Sequence, residues 1–244
     1  MARAAVPAVG LAGCAYLALL LALDHYASYP GQLALGAVTW VALAAALTRV
    51  PAERRAQAIG VVVFATIGEV IGSLIWGVYT YRLHNLPLFV PPAHGLVYLT
   101  GLALANAMAR HVRALVTVAA VGAAAWGLLG LTVLPHRDVA GALAVPLLLL
   151  FLWRGRNRAI YAGVFLVVAA LELYGTAIGT WRWADELPGL GISDGNPPSG
   201  VASGYVWFDV MALLTAPAVV ALVRRRASRT PREDEQPLPS TTRA

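Results

Sequence analysis

Residues 68–81 read Gly-Glu-Val-Ile-Gly-Ser-Leu-Ile-Trp-Gly-Val-Tyr-Thr-Tyr, which places the carboxyl group of Glu69 inside a long apolar segment. Such a segment is typical of a membrane-spanning helix. A carboxyl group at the centre of a membrane-spanning helix costs roughly 3 kcal/mol, so intramembrane acids are rare and usually functional. The stretch therefore predicts both the fold class and a candidate site.

The second half of the chain repeats this pattern. Glu172 is followed by Gly175 as Glu69 is followed by Gly72, and two alternating aromatic residues come next in each half. Leu-Pro, Pro-Pro and Gly then follow in both copies, first within 86–95 and again within 187–200. The repeat predicts a duplicated fold with a paired acidic site.

Composition sets the class of protein. The chain of 244 residues is 59% hydrophobic and 12% charged, whereas soluble domains carry about 25% charged residues. The net charge of +6 comes from arginines in short connectors and at the C-terminus, which is typical of a membrane protein and does not indicate a nucleic-acid partner. The single cysteine, Cys14, excludes an intrachain disulfide.

Hydropathy predicts an all-α polytopic protein with about eight transmembrane helices. The expected spans are Ala4–Leu23, Gln32–Thr48, Ala56–Thr80, Pro91–Ala109, Arg113–Leu134, Val139–Trp153, Ala159–Thr180 and Val201–Val223.

Charge in the connectors predicts the topology. Arginines fill alternate connectors, so both termini are expected in the cytoplasm of a bacterium, with the chain in the plasma membrane. An even number of spans in each half makes the halves parallel repeats, residues 1–110 and 111–226. Residues 227–244 are polar and Pro-rich, which predicts a disordered cytoplasmic tail.

Three acids are candidate catalytic residues, namely Glu69, Glu172 and Asp209. A carboxyl group in an apolar cavity favours its neutral form and can act as a general acid at neutral pH. A second carboxylate nearby would stabilise positive charge and accept a proton. We expect Glu69 to be the acid, with Asp209 or Glu172 as its partner.

Aromatic residues and one histidine are candidate substrate-binding residues. They admit two interpretations, an interfacial aromatic belt or a cavity lined by π faces that stabilise a carbocation. His94 is expected as a hydrogen-bonding wall residue, with a metal site shared with Glu69 and Glu172 as the alternative. The candidates are Trp76, Tyr79, Tyr81, His94, Trp181, Trp183 and Trp207.

Several enzyme classes are excluded by missing motifs. The chain has no Asp-Asp-x-x-Asp pyrophosphate motif, no Walker loop and no dinucleotide-binding glycine motif. It has no lysine, which excludes a retinal Schiff base. We therefore expect a protein that uses neither a cofactor nor a metal.

The same motifs carry a family resemblance. Glu69-x-x-Gly72, Gly77-Val-Tyr79-Thr-Tyr81 and Leu86-Pro87 resemble the signature of membrane carotenoid-biosynthesis hydratases that act on bacterioruberin precursors. The later Gly179-Thr-Trp181-Arg-Trp183, with residues 191–196, is similar to that family's second motif. A looser likeness links Glu69 and Asp209 to small polytopic meroterpenoid cyclases. Both resemblances imply acid chemistry on a hydrophobic isoprenoid drawn from the lipid membrane.

Two other functions fit the same acids. Parallel repeats with carboxyl groups at mid-membrane are also typical of proton-coupled transporters, in which Glu69 and Glu172 would bind protons, or of lipid-binding membrane proteins. The third reading makes the acids hydrogen-bonded links between helices. The leading hypothesis remains an isoprenoid hydratase (a lyase) or terpene cyclase.

Overall fold

The computed structural model describes residues 5–227 and contains eight α-helices and four short strands. The helices are α1 (Ala5–Tyr26), α2 (Tyr29–Leu47), α3 (Ala52–Glu69), α4 (Val90–Ala107), α5 (Val112–Thr132), α6 (Val139–Arg154), α7 (Arg158–Ala177) and α8 (Val201–Ala227). The strands are β1 (Tyr79–Tyr81), β2 (Trp181–Trp183), β3 (Glu186–Leu187) and β4 (Ile192–Ser193). The tail predicted for residues 227–244 lies outside the described residues, except for residue 227.

Six helical segments within residues 5–227 are long and apolar enough to cross a membrane. They are Ala8–Tyr26, Tyr29–Leu47, Ala52–Trp76, Ala109–Thr132, Arg158–Ala177 and Val201–Arg225, while α6 is a shorter apolar helix. These features define an all-α polytopic membrane protein. The expectation of eight spans stays a prediction, because α4 is not among the six and α6 is short.

Helix α4 lies at the centre of the bundle, which explains why it contains two prolines and a histidine among its apolar residues. It packs on α1, α2, α3 and α7, and more than half of its residues are buried. A helix covered by protein needs no lipid-facing apolar surface, so Pro91, Pro92 and His94 are tolerated in its first turns. Tyr98, in the middle of α4, is fully buried.

The four central helices are arranged as a duplication would arrange them. Helix α3 packs on α8, and α4 packs on α7. Because α3 corresponds to α7 and α4 to α8, exchanging the two halves turns one of these contacts into the other. The first helices of the halves break this relation, since α1 packs mainly on α4 whereas α5 packs on α6 and α7. The similarity between the two halves is thus strongest around the two acids.

The two predicted spans that contain the acids are shorter than expected. Residues up to 80 and up to 180 were expected in helices, but α3 continues only as a π-helical segment from Val70 to Trp76, and α7 ends at Ala177. Gly77 and Gly179 then adopt φ angles of 78° and 75°, a left-handed conformation that glycine adopts without a Cβ clash. Each glycine stops the helix and starts a strand.

Strands β1 and β2 pair antiparallel and join the two halves. Tyr79 lies opposite Trp183, Thr80 opposite Arg182, and Tyr81 opposite Trp181. The alternation of side chains along a strand puts the aromatic residues on one face and Thr80 and Arg182 on the other. We call this pair the aromatic ribbon, and the end of the bundle that carries it the ribbon end.

Small residues allow α4 and α7 to approach closely. A Cβ added to Gly101 would lie 2.7 Å from the backbone nitrogen and Cα of Val164, and Gly163 faces the backbone of Gly101 in turn. Close backbone approach through glycine is a common basis of helix packing in membranes. This contact fixes the distance between the two halves in the middle of α4 and α7.

We expect Gly101→Ala to destabilise the protein by about 1–3 kcal/mol, because the added methyl group collides with backbone that cannot rotate away. Gly122→Ala is the matched control, since its Cβ would meet only one atom, Phe165 Cε1, at 4.0 Å. Thermal unfolding in detergent can be monitored by tryptophan fluorescence. The unfolding midpoint should be lower for Gly101→Ala than for wild type and unchanged for Gly122→Ala. Equal midpoints for the two variants would contradict the close contact.

Candidate functional site

A cavity of about 430 Å³ lies between the aromatic ribbon and the central helices. Its walls come from α1, α3 with its π-helical segment, α4, α7, α8 and both ribbon strands. Eight of the ten predicted site residues line it, namely Glu69, Glu172, Trp76, Tyr79, Tyr81, His94, Trp181 and Trp183. The structure therefore places both intramembrane glutamates and most of the aromatic candidates in one chamber.

Glu69 is held by three side chains. The hydroxyl groups of Tyr79 and Tyr81 both donate to its Oε2 at 2.7 Å, and His94 Nε2 lies 3.1 Å from Oε1. The tyrosines come from alternate positions of β1, so both rings point towards the carboxyl group. His94 is 4% exposed, so the contact is sheltered from solvent.

Glu172 is held by the equivalent positions of the second half. The indole N–H groups of Trp181 and Trp183 donate to its Oε2, at 2.9 and 3.3 Å. Tyrosine is replaced by tryptophan at both positions, and no histidine is hydrogen-bonded to this carboxyl group among the described residues. The two acids therefore occupy related but chemically unequal environments.

The glycine that follows each acid makes room for an aromatic ring. A Cβ on Gly72 would lie 3.0 Å from the Tyr79 ring, and a Cβ on Gly175 would overlap the Trp181 ring. Because residues three apart share a helix face, each glycine lies beside its acid. The Glu-x-x-Gly spacing thus leaves space for the aromatic side chain that donates a hydrogen bond to the glutamate.

The rings around the acids form a continuous aromatic wall. Tyr79 and Trp183 have their ring centroids 4.5 Å apart across the ribbon, and Tyr81 and Trp181 are 6.1 Å apart. On the opposite side His94 lies 5.4 Å from the Tyr205 ring. These faces carry negative potential, which favours a cation inside the chamber.

The other two candidates, Asp209 and Trp207, do not line the cavity. Asp209 is 1% exposed, and neither of its carboxyl oxygens has a hydrogen-bond partner among the described residues. Trp207 is half exposed, and its ring packs edge-on against Phe151 at 6.3 Å. Helix α8 instead presents Tyr205 and Phe208 to the chamber.

Sequence reasoning missed Tyr205, Phe208 and Phe89 as lining residues. Tyr205 and Phe208 are three apart and so share one helix face, which Trp207 cannot share. That spacing was a signal in the sequence, but only the packing of α8 on α3 shows which face is turned inwards. Phe89 precedes α4 and is 1% exposed, and no local pattern predicted its position.

Among residues 5–227, no group of three or more His, Cys, Asp and Glu side chains is placed to hold a metal ion. His94 and Glu69 form a pair instead, and Glu172 is bonded to indoles.

A buried acid pair outside the membrane spans orders the loop before α8. Asp138, which caps α6, accepts hydrogen bonds from the backbone N–H groups of Gly141, Gly195 and Ser199 at 3.0, 3.0 and 2.6 Å. Asp194 lies beside it and is 2% exposed. Burial, and then the charge of Asp138, raise the pKa of Asp194 to about 7.

Comparison with known proteins adds no relative to this description. No protein-family model, curated protein or solved structure matches the chain. The class of protein is therefore defined by its own fold and site, as a polytopic helical membrane protein with two carboxyl groups in an aromatic chamber.

Asp194→Asn should stabilise the protein at pH 8 but not at pH 4. The folded state holds the Asp194 proton up to a pKa of about 7, against 3.8 for an ordinary aspartate, so wild-type stability falls as pH rises between these values. Thermal unfolding in detergent across this range is the measurement. Asp185→Asn, at a mostly exposed aspartate of the same loop, is the control and should leave the pH profile unchanged. A wild-type slope retained by Asp194→Asn would contradict the assignment.

Proposed function

We propose that the protein is a membrane-embedded enzyme that hydrates or cyclises a terpenoid or carotenoid by acid–base chemistry. The observation that carries the proposal is the presence of two hydrogen-bonded carboxyl groups, Glu69 and Glu172, in one aromatic-lined apolar cavity. Protonation of an alkene needs an acid, a partner base and a surface that stabilises the cation. We propose that Glu172, Glu69 and the aromatic rings of this chamber supply these three.

We place the proton donor at Glu172 in this proposal, although the sequence favoured Glu69. Indole N–H groups can only donate, so Oε2 of Glu172, which receives both of them, must act as an acceptor. Its Oε1 is then the oxygen that we propose carries the proton. The two acids differ in that Glu69 has a histidine partner that can balance a negative charge, whereas Glu172 has none among the described residues, which favours Glu172 as the neutral acid.

Glu69 with His94 takes the complementary role. Two phenol hydroxyls donate to one oxygen of Glu69, which stabilises a carboxylate. Its other oxygen contacts His94 Nε2 at 3.1 Å, so a proton accepted at this pair can be shared between them. Glu69 therefore faces the cation as a negative charge and then removes a proton.

The proton balance of the reaction follows from these roles. Glu172 protonates one alkene carbon, and the C=C π electrons form the new C–H bond, leaving a carbocation at the adjacent carbon. In hydration, a water oxygen bonds to that carbon and its proton passes to the Glu69–His94 pair. In cyclisation, an internal alkene forms the new C–C bond, and the pair removes a proton from a neighbouring carbon. One proton is returned to Glu172 before the next turnover.

Arginine placement and ribbon symmetry support a finer topology. We propose eight spans in two parallel repeats, in a bacterial plasma membrane with both termini cytoplasmic. The ribbon pairs equivalent strands of the two halves. Eight connector arginines lie at the end opposite the ribbon, against three at the ribbon end, namely Arg82, Arg137 and Arg182. Reporter domains fused to each terminus should both be active in the cytoplasm, and an external signal from either one would overturn this orientation.

A proton-coupled carrier is the second candidate, and one observation favours it. Between the cavity and the arginine-rich end, the buried Tyr98 hydroxyl and the Arg54 guanidinium both donate to Gln57 Oε1, at 2.8 and 2.9 Å. Asp209, whose carboxyl group has no hydrogen-bond partner within residues 5–227, adds a further buried polar group on α8. A carrier would acidify proteoliposomes in a substrate-dependent manner without changing the substrate.

Expression in a bacterial host that accumulates acyclic carotenes should produce a new lipid. A product heavier by one water indicates hydration, and an isomer with fewer double bonds indicates cyclisation, both by mass spectrometry of lipid extracts. Glu172→Gln and Glu69→Gln should each lower product formation by about 10²–10⁴-fold, because each removes one proton-transfer group. Glu186→Gln, at an exposed acid in β3, is the matched control and should retain product.

Turnover in D2O distinguishes the two roles. With Glu69→Gln, Glu172 can still deuterate the alkene and take a proton back, so deuterium should appear in recovered substrate. With Glu172→Gln no cation forms, and recovered substrate should contain no deuterium. The reverse pattern would make Glu69 the donor, and unchanged carotenes in wild-type cells would favour the carrier.

A further inference from the structure

The cavity wall is buried or half-buried except at two lining residues, which are exposed. Ile71 and Trp76, both in the π-helical segment, are 47% and 44% exposed although they line the chamber. On α8, Gly204 also lines the chamber, and a Cβ built on it would meet no atom within 4 Å. Open space therefore lies between the π-helical segment and the start of α8.

This opening has defined lower and upper limits. Below it, α3 and α8 are in close contact, since a Cβ on Gly68 would lie 2.8 Å from Phe208 Cζ and one on Gly60 would lie 3.2 Å from Ala212. Above it, the Trp76 indole N–H donates to the carbonyl oxygen of Pro188 at 3.0 Å. Pro188 belongs to the turn between β3 and β4, so that turn is anchored at the upper edge of the opening.

The surface around the opening is apolar. Leu74 and Ile75 beside it on the π-helical segment are 54% and 74% exposed, and Trp207 and Met211 on α8 are 50% and 38% exposed. In a membrane-spanning segment such side chains contact lipid tails, because exposed apolar surface of this extent is unfavourable in water. The opening consequently faces hydrocarbon.

Cavity size limits what can enter. About 430 Å³ lies towards the lower end of the range of small-molecule sites, roughly 300–1,000 Å³. A chain that spans a leaflet cannot be enclosed there in full, and the side opening provides the route for the part that remains outside. The two acids are then reached only by the end of the chain.

We propose that the opening framed by Ile71, Trp76 and Gly204, here called the side mouth, admits the terminal part of a long isoprenoid from the bilayer while the rest of the chain stays in lipid. The inference rests on the proposed function, because it assumes an isoprenoid substrate. It adds the entry route and predicts that chemistry is confined to the end group. Water-soluble molecules are not admitted by this route.

Photolabelling tests the side mouth without any turnover. The full chain is reconstituted in phosphatidylcholine vesicles that contain a polyprenyl chain with a diazirine at its end, and labelled residues are found by mass spectrometry. Val97 and Val168 line the cavity and are 4% and 1% exposed, so label on them reports entry rather than lipid contact. Wild-type protein should be labelled at both.

Gly204→Trp should fill the side mouth and lower this labelling at least about tenfold, equivalent to about 1.4 kcal/mol. Gly122→Trp is the matched control, because Gly122 is also a glycine of an apolar helix, is exposed and lies outside the cavity. Ile71→Trp, which closes the mouth from its other side, gives an independent reading if Gly204→Trp does not fold.

The outcomes separate the two proposals. Labelling of Val97 and Val168 that is lost in Gly204→Trp, in a protein that changes no carotene, supports the side mouth and contradicts the enzyme. Equal labelling in Gly204→Trp, Ile71→Trp and wild type overturns the side mouth, as does carotene turnover without any label on these two valines.

Discussion

The hydrogen bonding of two carboxyl groups in an apolar interior is the constraint on which the rest of the structure depends. Neither Glu69 nor Glu172 can rely on water at this depth, and an unpaired buried carboxyl group is costly. The donors are therefore brought by the chain itself, from the strand that follows each helix. The ends of α3 and α7, the glycines that follow them and the aromatic ribbon together bring the donors to the two acids.

The aromatic ribbon supplies hydrogen-bond donors to the acid of each half. The left-handed Gly77 and Gly179 turn the chain from helix to strand, and alternation along the strand sends two aromatic rings back to the acid. Substitution of two tyrosines by two tryptophans, and the presence of His94 on one side only, make the halves unequal. The two halves thus hold their acids in different hydrogen-bonding environments.

The ribbon end of the chamber and its side differ in how closely the surrounding elements are connected. At the ribbon end the loop before α8 donates two backbone hydrogen bonds to Asp138, from Gly195 and Ser199, and the β3–β4 turn accepts one from Trp76. At the side, α3 and α8 touch at Gly68 and Phe208 but leave space beside Gly204. A chamber that opens towards lipid at its side is suited to a hydrophobic ligand.

The sequence by itself determined the membrane class, the helix positions within a few residues, and the two acids with their alternating aromatic partners. These properties are local, because they depend on composition and on periods of two and of three to four residues. Only the tertiary structure decided that Tyr79, Tyr81 and His94 bond to Glu69, that Tyr205 and Phe208 replace Trp207 in the wall, and that Asp209 lies outside the cavity. Those outcomes depend on which face of α8 and α4 packs inwards, and that choice is made by contacts between helices distant in the chain.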